Sequence, residues 1–349
     1  MKALVTGGGG FLGRHIVAKL LARGDTVRVL GRRGHPDLEK MGVEMVCADI
    51  QDAMAVERAC LGMETVFHVA ARAGYWGSWA SYYEPNVVGT QNVLNGCRKA
   101  GLRKLIYTST PSVVSAPGNL EHADERVPYP LHYDCPYPAT KAEAERLVLA
   151  ANGQGGLLTA SLRPHLIYGP GDPHLFPRII DRARRGLLVQ VGDGTNKVDV
   201  TYVENAADAH LLAADRLGAG SPVNGQAYFI SQGTPVALWP WINAILTALG
   251  IPVVHRKVSH GAARTVGAAM EMAYTVLPLR GEPRMTRFLA DQLATSHYFD
   301  ISKARKDLGY APKIGTEEGL ERTIKALRTG GLIRKQVSHG SAQDTDNKE

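Results

Sequence analysis

The stretch Val5-Thr6-Gly7-Gly8-Gly9-Gly10-Phe11-Leu12-Gly13 constrains this chain more than any other. It follows the apolar run Ala3-Leu4-Val5 and opens a helical pattern, so a short strand breaks into glycines where a helix begins. Such a junction turns bare backbone N–H groups and the positive end of a helix toward one point, where a pyrophosphate can bind. Gly7, Gly10 and Gly13 stand at G-x-x-G-x-x-G spacing. The first permits a tight turn, the second admits phosphate against the backbone, and the third lets the helix press on the strand. Gly8 and Gly9 leave the frame open, and glycine clusters by themselves mark loops of many kinds. The turn, with Phe11 and Leu12 in it, reads as a dinucleotide site.

The residues that follow alternate between two periods. Phe11 to Arg23 carries Leu12, Ile16, Leu20 and Leu21 on one face and stops at Gly24, which predicts a helix. Strands are expected at Thr26–Leu30, Val43–Cys47, Thr65–Ala71, Lys104–Thr108 and Leu157–Ile167, with helices over Glu84–Ala100 and Tyr137–Leu149. This alternation predicts an α/β fold: a Rossmann-type doubly wound parallel sheet, with ligands at the carboxyl ends of its strands. Further on, Phe176–Arg185, Glu204–Arg216 and Leu238–Leu249 read as helical, and Val198–Val203 and Ala227–Ser231 as extended. The expected division is a nucleotide-binding domain over 1–165 with returning segments from the second half, a smaller C-terminal substrate lobe over 166–330, and an unstructured polar tail over 336–349. Ala262 to Leu279 is apolar, but Arg264 and Glu271 interrupt it, which excludes a membrane span. It reads as a core helix or pocket lid; a surface helix touching lipid, or channelling a greasy substrate, is the second reading.

Composition narrows the class of function. At 349 residues, 44% hydrophobic and 21% charged, the chain is an ordinary globular protein. Its net charge of +7 fits solubility and an anionic cofactor, because no basic and aromatic nucleic-acid motif accompanies it. Cys47, Cys60, Cys97 and Cys135 show neither C-x-x-C spacing nor nearby histidine clusters, which argues against structural zinc, any other metal centre or a disulfide framework. With a strand beginning at residue 3 and no cleavage signal, a cytoplasmic location is expected.

Several residues carry chemistry. The second strand ends in Leu30-Gly31-Arg32-Arg33, with no carboxylate for a ribose 2′-OH and two guanidiniums for a 2′-phosphate. The cofactor expected is therefore NADP(H), with NAD as the alternative. Asp49, followed by Ile50, can accept from an adenine amino group and also cap the next helix. Ala70 and Ala71 are small enough for a cofactor to lie against the backbone, whereas His68 reads as a packing residue. Asn86, close before Gly89, contradicts helix propensity, and such a local conflict points to function. Ser109, Thr110 and Ser112 put hydroxyls at a strand end, able to donate to a substrate oxygen or to satisfy local backbone. Tyr137 and Lys141 lie four apart, hence on one helix face. A fixed positive charge beside a phenol favours the phenolate and moves its pKa down from about 10.

Together these motifs resemble the extended short-chain dehydrogenase/reductase superfamily. The resemblance rests on Thr6–Gly13, Asp49, Asn86–Thr90, Thr108–Ser112, Tyr137–Lys141, Arg163-Pro164, Gly169-Pro170, Asp199, Tyr202–Asn205 and Gly309–Pro312, and spans about residues 2 to 329. It implies Tyr137 as acid/base, Lys141 as the residue that lowers its pKa and holds the nicotinamide ribose, and Thr110 as the substrate-orienting hydroxyl. The family more often has serine at that last position, which leaves Ser109 as the fallback. It further implies that Asn86 supports a water or backbone relay and that Pro164 and His165 lie near the nicotinamide.

Within the superfamily, Tyr107–Val113, Tyr137–Leu147, Arg163–His165, Gly169–Pro173, Ala73–Ser78 and Leu279–Pro283 resemble the 3β-hydroxysteroid dehydrogenase branch, and in it the 2-alkyl-3-oxoalkanoate reductases. That branch implies an oxidoreductase interconverting a lipid-like β-oxo acid and β-hydroxy acid, with long-chain 2-alkyl-3-oxo acids as the leading substrates and 4-carboxysterols second. Peripheral membrane or pathway-enzyme contact and a homodimer are expectations of the same kind. An NAD-dependent sugar-nucleotide epimerase or dehydratase is the third reading; dehydratases of the superfamily carry Asp-Glu after the catalytic hydroxyl, where this chain has Pro111-Ser112. A non-catalytic dinucleotide sensor usually lacks the tyrosine or lysine, and both are present. His165, Arg178 and Arg284 are the candidates for binding a substrate carboxylate, chosen on charge and expected lobe.

Overall fold

A computed structural model describes residues 1–277, 279 and 281–329. The tail expected at 336–349, and Arg280 of the 279–283 motif, lie outside the described residues. Seven strands, β1 (Lys2–Thr6), β2 (Thr26–Gly31), β3 (Glu44–Cys47), β4 (Thr65–His68), β5 (Lys104–Thr108), β6 (Leu158–Pro164) and β7 (Gln226–Ile230), form one parallel sheet. Their order is β7-β6-β5-β4-β1-β2-β3. The order reverses at β1, which pairs with β2 on one side and β4 on the other, and in such sheets the crevice for a ligand opens there.

Both faces of the sheet are covered, which is why its strands read as nearly continuous apolar runs. On one face Ile16, Val17 and Leu20 of α1 (Phe11–Ala22) share a core with Ala206, Ala209 and Ala213 of the helix Val203–Arg216. On the other, Val56 of α2 (Ala53–Cys60), Val93 and Leu94 of α3 (Gly89–Ala100), and Ala144 and Val148 of α4 (Pro136–Ala150) pack together. The fold is thus a doubly wound Rossmann-type sheet, and β7 and the helix Val203–Arg216 return to it from the second half of the chain. A separate core built on Tyr168, Phe176, Trp239, Trp241 and Ile242 belongs to the remaining C-terminal segments.

Three elements differ from the sequence expectation. The fourth strand stops at His68 rather than Ala71, because the amides of Val69 and Ala70 donate to Thr6 Oγ1 at 3.2 Å each. The strand expected over 157–167 breaks at Pro164. Leu166 takes a positive φ of 38°, and Ile167–Tyr168 pairs instead with Thr201–Tyr202. The segment Glu84–Val88, containing Pro85, is a π-helix that leads into α3, and such bulges gather at functional sites.

The helix His260–Val276 buries only Ala263 and Gly267, while Val266, Met272 and Val276 are exposed. It is a surface helix rather than a core helix. No helix among the described residues is long and apolar enough to cross a membrane.

Candidate active site

The glycine turn is held by contacts that tolerate no side chain. Gly7 has φ +69°, and a Cβ there would lie 2.9 Å from Ala70 Cα. A Cβ on Gly13 would lie 2.2 Å from the Gly7 carbonyl oxygen, so α1 starts pressed on the turn. Gly8 packs against Val29 and Val17, and Gly10 donates its N–H to Gly7 O at 2.9 Å. Gly10 is also the N-cap of α1. No side chain caps that end, and its first turn carries no acidic residue. First-turn amides with no intrahelical partner, free of competing carboxylates, are a donor set suited to the pyrophosphate of a dinucleotide. Phe11 is partly buried and Leu12 buried in the same turn.

Arg32 and Arg33 follow β2, exposed, and neither side chain has a hydrogen-bond or ion-pair partner among the described residues. Asp49 accepts from the Gln51 amide at 3.0 Å. The expectation that it caps the next helix is corrected, since Asp52 accepts from Ala55 N at 3.0 Å and is the N-cap of α2. Capping needs the residue directly before the first helical turn, and the chain makes one more turn after Asp49. Ile50 is buried against Gly89, where a Cβ would lie 2.6 Å from Ile50 Cδ1.

A buried polar relay joins the turn to α3. Thr6 Oγ1 lies 2.7 Å from His68 Nδ1, His68 Nε2 lies 3.0 Å from Thr90 Oγ1, and Thr90 donates to Asn86 O at 2.6 Å. With Thr90 and both loop amides placed this way, Thr6 donates to Nδ1 and His68 donates from Nε2. Burial, then the charge of Lys141, lowers the His68 pKa to about 3, so this imidazole stays neutral. The packing role read for His68 in the sequence holds; the hydroxyls on either side of it carry no local signal.

Asn86 spends its amide on structure. Its Oδ1 accepts from Arg72 N at 2.8 Å and its Nδ2 donates to Arg72 O at 3.1 Å and to Thr140 Oγ1 at 3.1 Å. It therefore fixes the chain leaving Ala70 and Ala71 against the start of α4.

Tyr137, in the first turn of α4, is partly buried, 6.4 Å from the Tyr82 ring. Burial pushes its pKa up to about 12, and the Thr110 hydroxyl beside it pulls the other way. Thr110 ends the chain leaving β5 and caps the turn Pro111–Val114, accepting from Ser112 N at 3.2 Å. The fallback Ser109 is buried, its hydroxyl without a partner among the described residues. Lys141 is buried, donates to Thr108 O at 2.6 Å and sits 4.1 Å above the Tyr107 ring. Desolvation lowers its pKa to about 7, with Glu145 opposing. The lowering of the phenol expected from Lys141 is corrected: burial raises the phenol, and what pulls it down is the Thr110 hydroxyl rather than the lysine.

Pro164 and His165 are buried at the end of β6. His165 Nε2 lies 2.6 Å from His297 Nδ1, and burial, then His297, drives its pKa well below the usual range. A neutral imidazole carries no charge for a carboxylate, which removes His165 from that list of candidates. Arg178 lies 3.4 Å from Glu282 and over the Tyr75 ring, and Arg284 is exposed in the segment before the helix Arg287–Ala294.

The sequence over residues 4–259 matches the 3-beta hydroxysteroid dehydrogenase/isomerase family. The chain belongs to that family. Among the relatives of this 3β-hydroxysteroid dehydrogenase family member is a 2-alkyl-3-oxoalkanoate reductase of Stenotrophomonas maltophilia, 49% identical over 92% of this chain and 98% of the relative. Another is a mouse decarboxylating sterol-4-alpha-carboxylate 3-dehydrogenase, 35% identical over 93% of this chain and 91% of the relative. Among solved structures, a UDP-glucose 4-epimerase of Thermus thermophilus in complex with NAD matches with a TM-score of 0.73 and 28% identity, over 94% of this chain and 99% of that one. The family member is thus an extended short-chain dehydrogenase/reductase: a nicotinamide-dinucleotide-dependent oxidoreductase acting on CH–OH groups.

Proposed function

We propose that this family member reduces the 3-oxo group of a long-chain 2-alkyl-3-oxo acid, with NADPH as its cofactor. The observation that carries the reading is the burial of Tyr137, which keeps its phenol protonated beside Thr110. A protonated phenol is a proton donor, and reduction of a ketone needs one at the developing alkoxide. When bound, the cofactor supplies a hydride to the carbonyl carbon. Tyr137 gives its proton to the carbonyl oxygen, and Thr110 orients that oxygen by a hydrogen bond. Lys141, anchored on Thr108 O, keeps a proton-carrying nitrogen on the same face of α4 as the phenol.

Gly7, Gly10, Phe11, Leu12 and Gly13 would hold the pyrophosphate; Asp49, Ile50, Ala70 and Ala71 the adenosine side; and Lys141, Pro164 and His165 the nicotinamide side. Arg32 and Arg33, exposed and unpaired among the described residues, support a 2′-phosphate. Similarity to the Stenotrophomonas reductase supports the β-oxo acid as substrate.

The second reading, oxidation of a 4-carboxysterol, draws on the mouse relative. Absorbance at 340 nm separates the two. Consumption of NADPH with a 2-alkyl-3-oxo acid, and none of the opposite change with NADP and the sterol acid, is expected. The reverse pattern overturns the proposal.

A further inference from the structure

We infer that Arg72 forms the binding site for the substrate carboxylate, an inference that rests on the β-oxo acid reading above. Arg72 leaves the end of β4 two residues after Ala70, beside the segment assigned to the cofactor. Its backbone is unusually well fixed for a loop residue, because the Asn86 amide takes both its N–H (2.8 Å) and its C=O (3.1 Å). Its guanidinium lies 4.9 Å above the ring of Tyr82, and that ring is 6.4 Å from the ring of Tyr137. The cation thus stands one aromatic ring away from the proposed proton donor.

The loop is built to keep it there. Gly74 and Gly77 have φ of 143° and 150°, and the loop folds over Tyr82 so closely that a Cβ on Gly74 would lie 2.7 Å from Tyr82 Oη. A Cβ on Gly77 would lie 3.0 Å from Tyr82 Cε2 and 3.4 Å from an Arg72 nitrogen. Tyr82 in turn donates to Trp76 O at 2.9 Å, which closes the loop on the ring.

Charge pairing separates Arg72 from Arg264, Arg287, Arg178 and Arg163, whereas Arg284, also without an ion-pair partner among the described residues, has no contact that ties it to the Tyr82–Tyr137 pair. Arg264 is taken by Asp134 and Asp291, and Arg287 by Glu271 at 2.7 Å. Arg178 faces Glu282, and Arg163 is buried on Glu145. Arg72 is exposed and has no carboxylate partner among the described residues. An arginine held against Tyr82 by its ring and its hydroxyl, with its backbone clamped and no internal carboxylate partner among the described residues, keeps further guanidinium N–H groups for a carboxylate. In a 2-alkyl-3-oxo acid the carboxyl carbon is two bonds from the carbonyl carbon, so the group that binds the anion has to belong to the same pocket wall as the proton donor, and Tyr82 touches both Arg72 and Tyr137.

The test compares a 2-alkyl-3-oxo acid with the ketone it leaves on losing carbon dioxide, which has the same chains and no anion. In Arg72→Met the ratio of kcat/KM for acid over ketone should fall about 30-fold, the size of a charge-assisted pair, with the change borne by KM. Arg72→Lys, which keeps the charge, should give a ratio nearer to that of the unaltered enzyme. Equal losses on acid and ketone would make Arg72 a structural residue and overturn the inference. An unaltered ratio in Arg72→Met, with normal turnover of the acid by the unaltered enzyme, overturns Arg72 alone. Failure of the unaltered enzyme to turn over the acid overturns the reaction reading, and the inference with it.

Discussion

Lys141 Nζ donates to the carbonyl oxygen of Thr108 at 2.6 Å, which ties the helix carrying Tyr137 to the last residue of β5. The bond fixes α4 at the strand end from which Thr110 emerges. Lys141→Met should remove a buried cation and leave that carbonyl unpartnered. Steady-state kinetics should then show kcat reduced about 100-fold or more. A kcat within a few-fold of the unaltered enzyme would deny Lys141 a part in the reaction.

Arg32 and Arg33 lie exposed at the end of β2 where an acidic residue would select NAD. Replacing both with alanine should raise KM for NADPH about tenfold or more while moving KM for NADH much less. Equal shifts for the two cofactors would mean that these guanidiniums do not read the 2′-phosphate.

The ion pair of Arg163 with Glu145 is fully buried, at 2.6 Å, and Ser161 and Tyr129 also donate to the carboxylate. The charge of Arg163, once burial is offset, holds the Glu145 carboxyl below its usual range. Glu145→Gln leaves the guanidinium buried without its counter-ion, and urea denaturation should show a loss of about 3–5 kcal/mol. Replacing both partners with leucine should cost less than Glu145→Gln alone; a larger loss in the double variant would contradict the burial argument.

Stability should fall with acid because buried histidines stay neutral in the fold. Burial lowers His68 to about 3 and His210 to about 4. Below about 6.5 the unfolded chain takes up protons that the folded chain refuses. The contribution is therefore complete above about 6.5 and lost progressively as pH falls toward the folded values, at up to ~1.4 kcal/mol per pH unit for each histidine. The urea midpoint should drop between pH 7 and pH 5, and His210→Gln should make that drop shallower. A midpoint independent of pH over this range would contradict it.

The parts of this molecule legible in its sequence are those set by local chemistry. The glycine turn, the strands of the large sheet and the four-residue spacing of Tyr137 and Lys141 all follow from short-range pattern. The conflict of Asn86 with helix propensity marks a π-helical turn whose amide clamps Arg72, a partner 14 residues away that no periodicity indicates. His165 meets His297 across 132 residues, so its neutral state is invisible until the C-terminal segments are packed. The helix His260–Val276 misleads because apolar content alone does not say which face is covered. Asp49 and Asp52 differ only in which one the following helix starts from, and boundaries of a few residues are the least legible feature of a sequence.

The most direct test is single-turnover oxidation of NADPH by Tyr137→Phe with a 2-alkyl-3-oxo acid, alongside dinucleotide affinity measured by fluorescence titration. Loss of the phenolic proton should slow the reaction about 10²- to 10⁴-fold while leaving the affinity within a few-fold. A variant that reduces the acid at the rate of the unaltered enzyme would show that the proton comes from elsewhere and would contradict the account.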